Sequence, residues 1–147
     1  ELAIQASLTG HLVLATLHTN DAPSAIPRLV DIGIPPYLIT SSLLGVLAQR
    51  LLRRICRTCK GTGKSTETGG ITDRCEACLG TGYKGRLAVY EIMLMTDELR
   101  RLTGQNADSI SLQDEAKRGG FLSMHEDARN KAEAGLTTFE EIKRVLF

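Results

Sequence analysis

The stretch LTGHLVLATLHTNDA, residues 8–22, decides the class of fold. Between Gly10 and His18 its apolar side chains do not alternate with polar ones, the pattern of a strand covered on both faces, as in a parallel sheet flanked by helices. Residues 1–9, with Leu2, Ile4, Ala6 and Leu8, read as the end of a helix that Gly10 stops in the left-handed conformation. After the expected strand over 11–18, Asn20 or Asp21 is placed to cap a second helix. Pro23 falls in its first turn, where a missing N–H costs nothing, and Gly33 stops it. Helix, buried strand, helix is the signature of an α/β protein.

Within that stretch, His11 opens the strand and His18 closes it, roughly 23 Å apart at about 3.3 Å per residue, so the two cannot share one small ligand. Thr16, His18, Thr19, Asn20 and Asp21 collect at the carboxyl end, the edge of an α/β sheet where ligands bind. A histidine alone at a strand end is most often a hydrogen-bonded packing residue. The polar cluster around His18 shifts the reading toward a binding edge.

Working outward, the Pro35-Pro36 turn leads into YLITSSLLG, a further helix, and then VLAQRLLRRIC, which periodicity leaves open between helix and strand. A strand from about Val46 is the favoured choice. RLAVYEIML, 86–94, resumes as a strand. Helices are then expected over 97–103, roughly 109–118 and roughly 123–134, each closed by glycine, with a last one after LTTFEE. There Thr137 with Glu140, or Thr138 with Glu141, forms a capping box.

The chain has 147 residues, no Trp and a net charge of +1. One ordinary core, with a small satellite module, is what that length can bury, and an aliphatic core suits helices on a sheet. Balanced charge offers no electrostatic case for nucleic acid. The longest apolar runs, such as LVLATL at 12–17, are too short to span a bilayer, and no signal peptide opens the chain, which points to a cytosolic location. A start without Met, directly inside helical periodicity, is expected of a piece of a longer protein.

Residues 56–85 change character, being rich in Gly, Thr, Cys and charge. Cys56, Cys59, Cys75 and Cys78 are arranged as two C-x-x-C pairs with fifteen residues between them. Two such knuckles bring four thiolates to the corners of a tetrahedron, the arrangement zinc prefers. Disulfides are rare in the cytosol, and a redox pair comes alone in a thioredoxin-like setting, so structural zinc is the strongest of the three readings. Each pair continues as C-x-x-C-x-G-x-G. Gly61, Gly63, Gly80 and Gly82 permit the positive φ that turns backbone N–H groups toward sulfur. Four thiolates leave no position for water or substrate, so the metal holds structure only. The nearby cations Arg53, Arg54, Arg57, Lys60, Lys64 and Arg74 offset its negative charge or, for most of them, are simply solvated. The same pattern resembles the cysteine-rich repeats of J-domain co-chaperones, over about sixteen residues and with two repeats in place of four; the flanks do not match.

CKGTGKST, 59–66, invites a P-loop reading. A P-loop needs a glycine five positions before Gly63, where Thr58 stands, and a strand before it and a helix after it, where Cys56, Cys59 and ETGG stand. The stretch is the exit of the first knuckle, with Lys64 turned to solvent.

With these pieces in order, the chain resembles the secretion and pilus-assembly ATPases, the hexameric traffic ATPases of type II secretion and type IV pilus systems. LTGHLVLATLHTNDA resembles their His box, and SSLLGVLAQRLLRRIC, the tetracysteine insert, GTGYKGRLAVYEIM and GLTTFEEIKRVL follow in the family's order over essentially the whole chain. The resemblance implies an α/β fold: the C-terminal part of a RecA-like P-loop ATPase core over 1–55, a zinc insert over 56–85, and a returning strand with a helical C-terminal subdomain over 86–147. It implies a cytoplasmic ATP hydrolase, peripheral at the inner membrane through platform proteins, working as a homo-hexamer with ATP, Mg2+ and structural Zn2+. The Walker A lysine, acidic box and Walker B of that family precede this region. His18 and His11 are its nucleotide-sensing candidates, Thr16, Thr19, Asn20 and Arg50 candidate binding residues, and Gln49 a weaker one. Type II secretion is favoured over type IV pilus assembly, and retraction-type motors, which generally lack the insert, fit less well. A zinc-held interaction module with no nucleotide role is the rival from another class.

Overall fold

The computed structural model describes residues 2–65 and 73–147, and the chain divides into two units, each considered by itself. The first comprises residues 1–48 and 91–123. It carries α1 (Leu2–Leu8), α2 (Ala25–Asp31), α3 (Pro36–Ser42), the start of β1 (Gly45–Ile55), the end of β2 (Tyr83–Leu94), α4 (Asp97–Gly104) and α5 (Ser109–Arg118). The second comprises residues 49–90 and 124–147, with the remaining lengths of both strands, the cysteine knuckles, α6 (Met124–Glu133) and α7 (Phe139–Leu146).

In the first unit the caps are local and decide the boundaries. Thr96 accepts a hydrogen bond from the Leu99 amide at 3.2 Å, and Asp108 accepts one from the Ser111 amide at 2.9 Å. α2 starts later than the sequence suggests: Asp21 Oδ1 accepts from the Ser24 amide at 2.8 Å, which makes a turn ahead of the helix, and the regular helix begins at Ala25. Ala22, Ile26, Met93, Leu99, Leu112 and Ala116 form the core, with Leu43, Val46 and Phe121 packed on it. Each fully buried large side chain contributes roughly 1.5–3 kcal/mol.

Residues 11–18 differ from the expected buried strand. They carry no regular secondary structure, and Leu12 and Leu14 are 77% and 90% exposed. A strand exists only by pairing, and among the described residues the sheet has two members, β1 and β2, which bond to each other. The apolar run is there, but no third strand receives it.

β1 and β2 are antiparallel: in the first unit the Met95 amide donates to Leu44 O at 2.9 Å, and in the second the Cys56 amide donates to Gly82 O at 2.9 Å. In the second unit both outer edges of this ribbon are covered by side chains and loop. Along β2, Asp127 of α6 accepts from the Tyr90 amide at 3.1 Å, and Lys131 donates to Ala88 O at 2.9 Å while lying 4.5 Å over the Tyr90 ring. Along β1, the Ile55 amide donates to Leu136 O at 2.9 Å, and Thr137 Oγ1 donates to Arg53 O at 2.9 Å. Free strand edges invite other chains, and here helix α6 and the loop before α7 occupy them.

α7 is capped by Thr138, whose Oγ1 accepts from the Glu141 amide at 3.1 Å, so Thr138 with Glu141 is the pair used. The second leg of the box is spent elsewhere. The Glu141 carboxylate, fully buried, accepts from the Arg53 amide at 2.8 Å, from Arg53 Nε at 2.8 Å and from Arg144 Nε at 2.8 Å. The Arg144 guanidinium, then burial acting against it, then the side chain and amide of Arg53 leave its carboxyl lowered from 4.5 to about 2. Arg53 also stacks 4.3 Å over the Tyr83 ring, whose hydroxyl meets Thr138 Oγ1 at 2.7 Å. Glu141 thereby ties α7 to β1.

Candidate metal centre and histidine segment

The candidate metal centre is built by repeating one local device. After Cys59 the chain passes through Lys60, Gly61 and Gly63 at φ of 51°, 89° and 71°, and after Cys78 through Leu79, Gly80 and Gly82 at 53°, 83° and 76°. Each knuckle thus turns an amide back on its own sulfur: Gly63 N–H donates to Cys59 Sγ at 3.3 Å, and Gly82 N–H to Cys78 Sγ at 3.3 Å. The two knuckles also hold each other. The Cys75 amide donates to Gly63 O at 2.8 Å, and the Cys56 amide to Gly82 O at 2.9 Å. At Gly63 a Cβ would collide with the carbonyl of Gly80, and at Gly82 with that of Gly61. Glycine at these two positions is required by close approach as well as by φ.

All four cysteines are buried, and their sulfurs lie within 4.8 Å of one another. Cys56 Sγ to Cys75 Sγ is 4.0 Å, and Cys59 Sγ to Cys78 Sγ is 3.7 Å. A tetrahedral ion with metal–sulfur bonds of about 2.3 Å sets its ligands about 3.8 Å apart, so the cluster has the size a tetrathiolate metal site needs. The cysteines are free thiols, not disulfides. Burial pushes Cys75 up to about 11. Cys56 is lowered, chiefly by the Cys59 amide. Cys59 and Cys78 are lowered despite burial, by the amides of Gly63 and Gly61 and of Gly82 and Gly80, with neighbouring thiols contributing at Cys78. At Cys56, Cys59 and Cys78 the backbone amides thus favour the thiolate, the form in which sulfur binds a metal.

Around this centre, Arg54, Arg57 and Lys60 line a cleft of about 390 Å3 with Ile55, Cys56, Gly135 and Leu136. Of the other nearby cations, Arg53 pairs with Glu141, Arg74 donates to Leu79 O at 2.5 Å, and Lys64 is exposed. Thr66 and the ETGG stretch lie outside the described residues.

The histidine segment belongs to the first unit. His11 lies just beyond Gly10, its Nδ1 3.1 Å from Thr9 Oγ1, and is exposed. His18, Thr16 and Asn20 are exposed and Thr19 is half-buried. Asp21 closes the turn to Ser24, and Ala22 is completely buried, its amide donating to Glu91 Oε1 at 2.5 Å. Thr16, His18, Thr19 and Asn20 are thus neighbours along one segment, while Arg50 and Gln49 lie on β1 in the second unit.

Two residues were not singled out from the sequence. Glu91 occupies an inward position between Val89 and Met93, and an acid at a buried position of an alternating strand is a signal of function or of a buried partner. Glu141 was legible only as a capping residue.

Set beside known proteins, residues 1–144 match the family model described as "Type II/IV secretion system protein". Type II secretion system protein HxcR of Pseudomonas aeruginosa is 50% identical over 145 residues, covering 99% of this chain and 30% of that protein. Type IV pilus assembly ATPase PilB of Thermus thermophilus is 40% identical over 158 residues, covering 97% of this chain and 18% of that protein. Among solved structures, the pilus retraction motor PilT with bound ADP superposes with a TM-score of 0.67 at 28% identity, covering 97% of this chain and 34% of that one. The α/β fold expected from the sequence, the later part of a RecA-like ATPase core, is borne out by that likeness. The chain spans about a third or less of the length of the relatives it matches.

Proposed function

Because the chain belongs to the type II/IV secretion system protein family, we propose that it is the C-terminal part of a hexameric ATPase that powers type II secretion by assembling a pseudopilus at the inner membrane. The observation that carries this reading is the 50% identity to HxcR over 99% of the chain. Type IV pilus assembly is the second reading, favoured by the 40% identity to PilB. In either machine the protein is cytoplasmic and held peripherally at the inner membrane by platform proteins. Among the described residues no helix is long and apolar enough to cross a membrane. A zinc-stabilised interaction module without nucleotide chemistry is the reading that the experiment below must exclude.

The three parts have separate tasks. Residues 1–55 carry the nucleotide-sensing segment, with His18 the principal group, His11 secondary and Thr16, Thr19 and Asn20 along the same stretch of chain; Arg50, on β1, is a candidate through the family resemblance alone. Bound MgATP supplies the phosphoryl group, and a P-loop gripping its phosphates is absent from these 147 residues. His18, exposed on the irregular segment ahead of the Asp21 turn, donates or accepts a hydrogen bond at the γ-phosphate or the attacking water, linking hydrolysis to movement of the unit. Residues 56–85 form the insert held by zinc on Cys56, Cys59, Cys75 and Cys78, whose spacing fits it and whose four sulfurs leave no coordination site for chemistry. Residues 86–147 return the strand and add the helical tail.

The test is an ATPase measurement on the full-length protein and on this chain. The full-length enzyme is expected to hydrolyse MgATP and to lose at least about tenfold in kcat with H18A, the scale of losing one positioned polar group. This chain alone is expected to be inactive. Hydrolysis by the isolated chain that H18A abolishes, or an H18A full-length enzyme at the parental rate, overturns the assignment. Metal analysis of reduced protein should find about one zinc per chain, and a value near zero removes the metal.

A further inference from the structure

The segment that carries His18 is largely exposed, then enters the core abruptly. Leu12 and Leu14 are 77% and 90% exposed, whereas Ala22 is 0% and Ile26 2% exposed. At the point of entry the Ala22 amide donates to Glu91 Oε1 at 2.5 Å, across 69 residues of sequence. Glu91 itself is 4% exposed, on β2 between the fully buried Val89 and the buried Met93. A buried polar group left without a hydrogen-bond partner is costly, so the bond between the Ala22 amide and the Glu91 side chain makes this point of entry a fixed one.

We propose that Glu91 is a positioning residue for His18: it pins Ala22 and so sets where the His18 end of the segment stands. Three residues lie between His18 and Ala22, so the two α-carbons stand at most about 14 Å apart and the anchor bounds where the imidazole can reach. The turn that Asp21 closes on Ser24 stiffens the same junction. Because Glu91 lies on β2, displacement of that strand is delivered to Ala22 through this hydrogen bond. The proposal rests on the nucleotide role of His18 put forward above.

The experiment is a double-mutant cycle in the full-length ATPase, with amide exchange at Ala22 read in this chain. E91A is expected to strip exchange protection from Ala22. It should also lower kcat about tenfold to a hundredfold, the scale of leaving one buried hydrogen-bonding group without its partner, while KM for MgATP changes less than about twofold. E91Q, which keeps an acceptor oxygen, is expected to recover most of kcat. The H18A/E91A enzyme is expected to be no slower than H18A, because the anchor has nothing left to position. Should E91A lose the parental far-UV spectrum, the cycle is run with E91Q, and the same non-additivity is expected on a smaller loss. A slow H18A enzyme on which the Glu91 substitution multiplies a further full loss overturns the proposal and leaves the role of His18 standing. An H18A enzyme at the parental rate overturns both.

Discussion

Replacing Glu141 by glutamine removes one charge and leaves the shape. Its carboxyl is held at about 2 against an ordinary 4.5, and a difference of that size corresponds to about 3 kcal/mol of folding stability at neutral pH. Because the folded pKa is the lower one, that stability is fully present above about pH 4.5 and is lost as the pH falls from there through 2. The partners shade the figure: Arg53 and Arg144 are 46% and 55% exposed, so their charges are partly solvated without Glu141, and the loss belongs at or below about 3 kcal/mol. In E141Q the amide nitrogen must also face a guanidinium donor. The assay is urea unfolding of reduced parent and E141Q, followed by far-UV circular dichroism at pH 7, 5, 3.5 and 2. Other carboxylates titrate in both proteins, so the difference between the two curves isolates Glu141. It is expected to be about 3 kcal/mol at pH 7, little changed at pH 5, and close to nothing at pH 2. Parallel curves, with the same difference at pH 5 and pH 2, would refute the claim that a buried ionised Glu141 ties α7 to β1.

G82A places a methyl group against Gly61 O at a backbone φ of 76°, and is expected to cost about 2 kcal/mol or more and to lower metal content, read by cobalt absorbance on titration. C75S is expected to abolish the tetrahedral site and melt the knuckles while sparing the core around Leu99 and Leu112. Methyl resonances of the first unit should hold, and their equal collapse would contradict separate cores. L112A, at a position with no exposure in that core, is expected to destabilise the first unit by about 2–5 kcal/mol in chemical denaturation.

What the sequence made legible is what local chemistry determines. Thr96, Asp108 and Thr138 each cap a helix through an amide three residues on, so α4, α5 and α7 fall where their letters put them. The cysteine cluster is equally local, since each knuckle closes on its own sulfur within four residues. Residues 11–18 carry the composition of a buried strand, but pairing is a non-local property, and the apolar run cannot state whether a partner is present. Glu141 shows the same limit: its amide meets Thr138 as the capping pattern implies, while its carboxylate goes to Arg53, 88 residues away, which no local pattern announces. Glu91 stood one inference away. The alternation of Val89, Glu91 and Met93 puts it on the inner face, and its partner Ala22 is visible only in three dimensions.

The reciprocal bonds between the two knuckles bear on how the protein is born. Neither half is finished by itself, since Cys75 waits for Gly63 O and Cys56 for Gly82 O. On the ribosome the first cysteine pair therefore emerges before the segment that completes it. At roughly 5–20 residues per second, the chain from Gly63 to Gly82 takes about 1–4 s to make. During that interval Cys56 and Cys59 are open thiols exposed to oxidants, and an alkylating pulse on nascent chains stalled between the knuckles should label them. Labelling should cease once Gly82 has cleared the exit tunnel, so the closing of the cysteine cluster is timed by translation.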